Sequence, residues 1–194
     1  MSAAAVLDLE VDTPIRGELL STERLEQLAE TIAAEHTVLP GKRAGRPLLP
    51  RLEENGRALL AAYRSIAPAM PQEGGVSPAA EWLVDNFHIV EEQVREIRDD
   101  LPPNFYKELP KLARGPFEGF PRVYAIAWAF IEHTDSRFES EALRRFSLAY
   151  QKLEPLTIGD LWAIAILLRI VLVENLRRLV DGIDSRREAR DLAD

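Results

Sequence analysis

The sequence predicts an all-α protein, a multi-helix bundle around a central apolar helix at about residues 158–181, and three observations carry that expectation. Apolar residues recur at steps of three and four along most of the chain, while the alternation of a half-buried strand is almost absent. The stretch LWAIAILLRIVLVENLRRL, residues 161–179, is apolar nearly all round, as a helix enclosed by others must be. Helix-starting and helix-breaking residues divide the chain at regular intervals.

The apolar stretch is too interrupted for lipid. A membrane-spanning helix needs about 20 consecutive apolar residues. Here Arg169 and then Glu174 break the run, and a charge near the bilayer midplane costs about 3 kcal/mol on insertion scales. No direct membrane span is expected, and sister helices in water are the expected cover.

The elements follow in order. Ser21 precedes a Glu-rich first turn with Leu25, Leu28 and Ile32 on one side, an N-cap and an amphipathic helix that should end near Leu39. PGKRAGRP, residues 40–47, reads as a basic, solvated linker. A second helix is expected at about 50–67, with Leu52, Leu59, Leu60, Tyr63 and Ile66 on its apolar side. Ser77 and Pro78 then supply an N-cap and a first-turn proline, and Leu83, Phe87, Val90, Val94 and Ile97 mark a buried face. Pro102 and Pro103 stop that helix, because each lacks a donor and disfavours helical geometry in the residue before it.

Residues 101–121 hold five prolines with Phe105, Tyr106, Phe117 and Phe120 between them. They read as an ordered connector lying across the helices, with a short turn at 106–112. Helices resume at 123–133, 140–153 and 158–181; Thr157 and Asp160 form a capping-box pattern at the start of the last, and Gly182 is its expected stop.

Composition bounds the function. A chain of 194 residues, 46% hydrophobic and 29% charged, can bury the core of one globular domain. We divide it into an N-terminal arm (1–20), a helical domain (21–183) and a charged stretch (184–194) read as the truncated start of a further helix or a tail. A net charge of −8 without a basic stripe speaks against a nucleic-acid partner. Without cysteine there is no disulfide or thiolate metal site, and His36, His88 and His133 are the only imidazoles. The N-terminus shows neither the basic nor the long apolar region of a secretory signal, so the expected compartment is the cytoplasm.

Candidate chemistry is sparse. His88 and Glu91 share a helix face, but metal-bridging bundles use Glu-x-x-His on several helices, and here the order is reversed and occurs once. A hydrogen-bonded surface or interface histidine is the better expectation. His133, Asp135 and Ser136 are adjacent in sequence without a nucleophile elbow, so Thr134, Asp135 or Ser136 is expected to cap the following helix. Glu174 is expected to pair with Arg177 or Arg178 at helical spacing. Arg169 has no acid at such spacing and should pair across helices with Glu132, Asp135 or Glu81, fixing register. Catalytic, cofactor-binding and metal-binding residues are accordingly assigned to none; Arg169, Glu174, His133, Asp135, His88, Glu91 and Tyr106 are structural or interface candidates.

The strings AEWLVDNFHIVEEQ and LTIGDLWAIAILLRIVLVENLRR, with flanking stretches in order through residues 14–190, resemble the N-terminal region of bacterial cyclic β-1,2-glucan synthases. The resemblance implies a very large inner-membrane protein of several modules. After a helical N-terminal part come a family 84 glycosyltransferase that uses UDP-glucose and a family 94 phosphorylase-like part. No Asp-x-Asp nucleotide-sugar motif occurs in these residues, so none of the family's catalytic groups maps onto them. The implied role is a non-catalytic helical module without a cofactor, a fragment with a scaffolding or interaction function whose partners are the transferase and membrane parts. Two other readings compete: a freestanding interaction domain using residues 103–120 as its partner surface, and a small glucan-acting enzyme using carboxylates among Glu91, Glu92 and Asp135.

Overall fold

The structure, a computed structural model, describes residues 13–39, 41–68 and 78–191. Among the described residues seven helices follow one another: α1 (Thr22–Glu35), α2 (Leu49–Ile66), α3 (Pro78–Asp100), α4 (Pro103–Glu108), α5 (Arg122–Thr134), α6 (Ser140–Gln151) and α7 (Ile158–Asp191). The all-α expectation is met, and α7 is the central element, packed against α5, α3 and α2, while α1 lies on α6.

Local chemistry sets the boundaries. The Ser21 hydroxyl accepts the Arg24 backbone N–H and opens α1, whose Leu25, Ala29 and Ala33 are buried. α1 ends at Glu35, short of the expected Leu39, because Val38 pairs as an isolated β-bridge with Leu112 and the Leu39 N–H bonds to the Lys111 carbonyl. α3 bends at Asn86, whose side-chain amide donates to the Trp82 carbonyl and whose own backbone leaves helical geometry. The predicted N-cap of α3, Ser77, lies outside the described residues. At α7 the capping box forms as expected: the Asp160 N–H donates to the Thr157 hydroxyl at 3.1 Å and the Thr157 N–H to the Asp160 carboxylate at 2.9 Å. Gly182 does not stop α7, which continues to Asp191. Residues 184–191 are thus part of the same helix and not the start of another.

The connector is ordered, but its short helix is α4 at 103–108, earlier than the expected turn, since Pro102 and Pro103 pre-set helical entry there. Tyr106, Phe117 and Phe120 are buried, with Phe117 and Phe120 against Tyr124 of α5. Packing thus takes up three of the four aromatic side chains of residues 103–120, while Lys107, Glu108, Arg114 and Glu118 of the same segment stay exposed. The exposed linker 41–47 is tied down on this connector: the Arg46 N–H donates to the Gly119 carbonyl, its carbonyl accepts the Tyr106 hydroxyl, and its guanidinium lies 4.6 Å from the Phe120 ring centroid.

Beneath them sits Lys111, buried, its ammonium donating to the carbonyls of Tyr106 at 2.5 Å and Leu109 at 2.6 Å. Both carbonyls lie at the C-terminal end of α4, where a cation is favoured, and that of Tyr106 also accepts the Leu109 N–H. Burial, opposed in part by the Asp160 charge, lowers the amine to about 8. The described part of the N-terminal arm is likewise fixed. Ile15 is buried, its N–H donates to the Asn175 side chain of α7 at 2.7 Å, and the Gly17 N–H donates to the Glu132 carbonyl at the end of α5.

Candidate functional site

The polar residues of interest are strung along α7, where an apolar sequence is punctuated by Asp160, Arg169, Glu174, Asn175 and Arg178. They bind α7 to α2, α3, α5 and the N-terminal arm, and together they decide what the chain can do chemically.

Glu174 forms the innermost group. Its carboxylate is fully buried and receives two hydrogen bonds from Arg51 of α2, at 2.8 and 2.5 Å, one from Asn55 at 2.6 Å and one from Arg178 at 2.8 Å. The expected helical pairing with Arg178 is present, and Arg177 stands 3.9 Å away. The pairing is neither local nor exposed, however, because α2 supplies a bidentate guanidinium that sequence spacing could not reveal. Burial alone would raise the Glu174 pKa, but the hydrogen bonds from Arg51 and Asn55 and the adjacent positive charges hold it at about 2. Such a carboxylate stays ionised at neutral pH, and its oxygens are already occupied. It is unsuited to general acid or base chemistry, which needs a group that exchanges protons near the working pH.

Asp160 is the second fully buried carboxylate of α7. Besides closing the capping box, it accepts from the buried Arg122 at 2.7 and 3.2 Å, and Arg122 also donates to the Pro155 carbonyl. Sequence reasoning missed Arg122, Arg51, Asn55 and Asn175. A charged residue at the head of RVYAIAWAF was the one available signal for Arg122, since a guanidinium on a helix buried nearly all round must have a partner.

Arg169 does pair across helices, but not with the predicted acids. It reaches Glu96 at 3.1 Å and Asp100 at 2.6 Å, both on α3, with Gln93 at 3.4 Å. Glu132 and Asp135 lie at the end of α5 and Glu81 at the start of α3, whereas antiparallel packing brings the C-terminal half of α3 beside Arg169. Its side chain is 27% exposed, so the stem crosses apolar surface and the head reaches water.

The remaining candidates scatter. His133 shares a 2.8 Å hydrogen bond between Nδ1 and the Glu18 carbonyl, and Asp135 stands 3.5 Å from Arg16, so both fasten the N-terminal arm. The expectation that Thr134, Asp135 or Ser136 caps α6 is not met. Asp135 and Ser136 take left-handed backbone conformations that end α5, the Ser136 hydroxyl accepts from Asn175, and Glu139 stands at the α6 N-cap without a side-chain bond. His88 is exposed and forms no hydrogen bond among the described residues, contrary to expectation. Glu91 lines a shallow cleft between α2 and α3 with Glu53, Arg57 and Arg98. Tyr106 donates to the Arg46 carbonyl, and burial pushes its phenol up. Glu91, Glu92 and Asp135 therefore converge on no common cleft. Among the described residues no group of three or more His, Asp or Glu side chains is placed to hold a metal ion. No helix among them is long and apolar enough to cross a membrane.

Fold and site together define a wholly helical module whose buried charges bind its own helices to one another. In sequence it is related to a cyclic glucan synthase: it is 36% identical over 196 residues to the cyclic beta-(1,2)-glucan synthase NdvB of Rhizobium meliloti (strain 1021), a match that takes in 96% of this chain. The chain spans only 7% of the length of that relative. No protein-family model matches the chain.

Proposed function

We propose that this chain is a non-catalytic helical module of a cyclic β-1,2-glucan synthase, supporting glucan synthesis from UDP-glucose by the transferase and membrane parts of the parent protein. The supporting observation is the match to NdvB across 96% of the chain. The geometry agrees with a scaffolding role, because the buried carboxylates of Glu174 and Asp160 are each engaged by guanidinium groups. In this reading the module stands on the cytoplasmic face of the bacterial inner membrane, beside the modules it serves.

The test has two arms. Incubating the purified chain with UDP-glucose, and separately with β-1,2-glucan, should give no transfer and no cleavage. Deleting the corresponding segment from a complete synthase should lower cyclic glucan output or the amount of assembled protein in the membrane. Turnover by the isolated chain, or a deletion without effect on either quantity, would overthrow the proposal.

A further inference from the structure

The outward face of α7 is apolar. Ile158, Leu161, Trp162, Ala165, Leu172 and Leu176 fall at steps of three, four and seven residues, one stripe of the helix. Ile158 and Trp162 are each 74% exposed, whereas the opposite positions, such as Ala163, Leu167 and Val171, are fully buried. Arg169 is the single charge on the stripe, and its head is drawn aside onto α3. Between α3 and α7 the stripe opens into a groove of about 470 Å³ lined by Trp82, Ile89, Leu172, Leu176 and Leu179, in which Trp82 and Ile89 are 45% and 39% exposed. Large apolar residues gathered at this density on a surface mark an interaction site more often than chance exposure.

Charge decides what fits. The α3 rim, just outside Trp82 and Ile89, carries Glu81, Asp85, Glu92, Glu96, Asp99 and Asp100, all exposed and all acidic. Arg169 answers Glu96 and Asp100. Glu81, Asp85, Glu92 and Asp99 have no cation within salt-bridge distance among the described residues. A second copy of this chain, with its net charge of −8, would bring two acidic rims together, and an anionic bilayer would be repelled in the same way. The groove lies between two helices, the geometry that receives the apolar ridge of a third.

We propose that the α3–α7 groove docks an amphipathic α-helix of a partner segment, with its apolar ridge between Trp82 and Leu176 and a flank of lysine or arginine along the α3 rim. Burial and charge carry this inference, which goes beyond the synthase reading and would stand without it.

The probes are helical peptides of about 20 residues, about 30 Å long, with one leucine stripe. One carries lysine along a flank, a second carries glutamate there, and a third scrambles the lysine peptide. Binding is followed by fluorescence anisotropy of labelled peptide against the whole chain. The lysine-flanked peptide should bind, weaken as salt rises, and exceed both others by about tenfold or more. Leu176→Asp should abolish binding, and Asp85→Lys with Glu92→Lys, two exposed positions without an ion-pair partner among the described residues, should shift preference to the glutamate peptide. Equal binding of all three peptides, no binding of any, charge reversal without effect, or capture of the stripe in a dimer of this chain would each overturn the proposal.

Discussion

Arg51 and Glu174 meet fork to fork across 123 residues of sequence, with Nε and Nη2 of the guanidinium each donating to one oxygen of the carboxylate. The pair ties α2 to the centre of α7, and Arg178 and Asn55 complete it from either side. Glu174→Gln should therefore cost about 3–5 kcal/mol, the range for breaking a buried ion pair and leaving a cation uncompensated. Urea unfolding followed by far-UV circular dichroism measures it. A loss below about 1 kcal/mol would show that the cluster does not hold the helices together.

Arg169→Met makes the contrast. Its partners Glu96 and Asp100 are half exposed, so water screens the pairs and replaces them on mutation. The expected change is within about 1 kcal/mol, smaller still in high salt. Two charges five residues apart on one apolar helix thus differ in consequence because one is closed over and the other is not.

The same difference marks what sequence could disclose. Periodicity located every major helix, because burial on one face imposes a repeat that needs no knowledge of partners. The capping box at Thr157 and Asp160 was equally legible, being local. The partners of Glu174 and Arg169 were not: helical spacing identifies Arg178, but only the fold brings Arg51 or Glu96 alongside. The ends of α1 and α7 were misjudged for related reasons, since a bridge from Val38 to a residue in the connector and the continuation of α7 through Gly182 depend on context beyond the local pattern.

Acid should loosen the α1–α6 region. Half-buried His36 lies with Nδ1 2.8 Å from the Tyr150 hydroxyl, and burial, aided by the Arg122 charge, lowers its pKa from 6.5 to about 4. Between those values the unfolded chain takes up a proton that the folded chain refuses, so stability falls as pH drops from 6.5 to 4 and the loss is complete below. The loss is roughly 3 kcal/mol. Glu174, depressed to about 2, adds a second loss that begins only below about 4.5. Urea midpoints at a series of pH values should show both phases, and His36→Phe should remove the upper one. An unchanged slope between pH 6.5 and 4 in that variant would assign the transition elsewhere.

Gly45→Ala tests the join between linker and connector, and the geometry leaves little room. Gly45 has φ of +62°, a left-handed conformation that costs an L side chain about 1–2 kcal/mol. A Cβ built there would also lie 2.4 Å from the Gly119 carbonyl oxygen and 2.7 Å from Cε of Lys111. The lysine stem cannot retreat freely, because its ammonium is held by the Tyr106 and Leu109 carbonyls. The clash therefore falls on backbone and on a buried cation, and the variant should lose about 2–4 kcal/mol, more than conformation alone would take. Gly41, with φ of +75° and nothing within 4 Å, is the matched control. Gly41→Ala should show the conformational cost alone, about 1–2 kcal/mol. Equal losses in the two variants, read from urea unfolding, would mean that the linker lifts away from Lys111 and Gly119 at little cost.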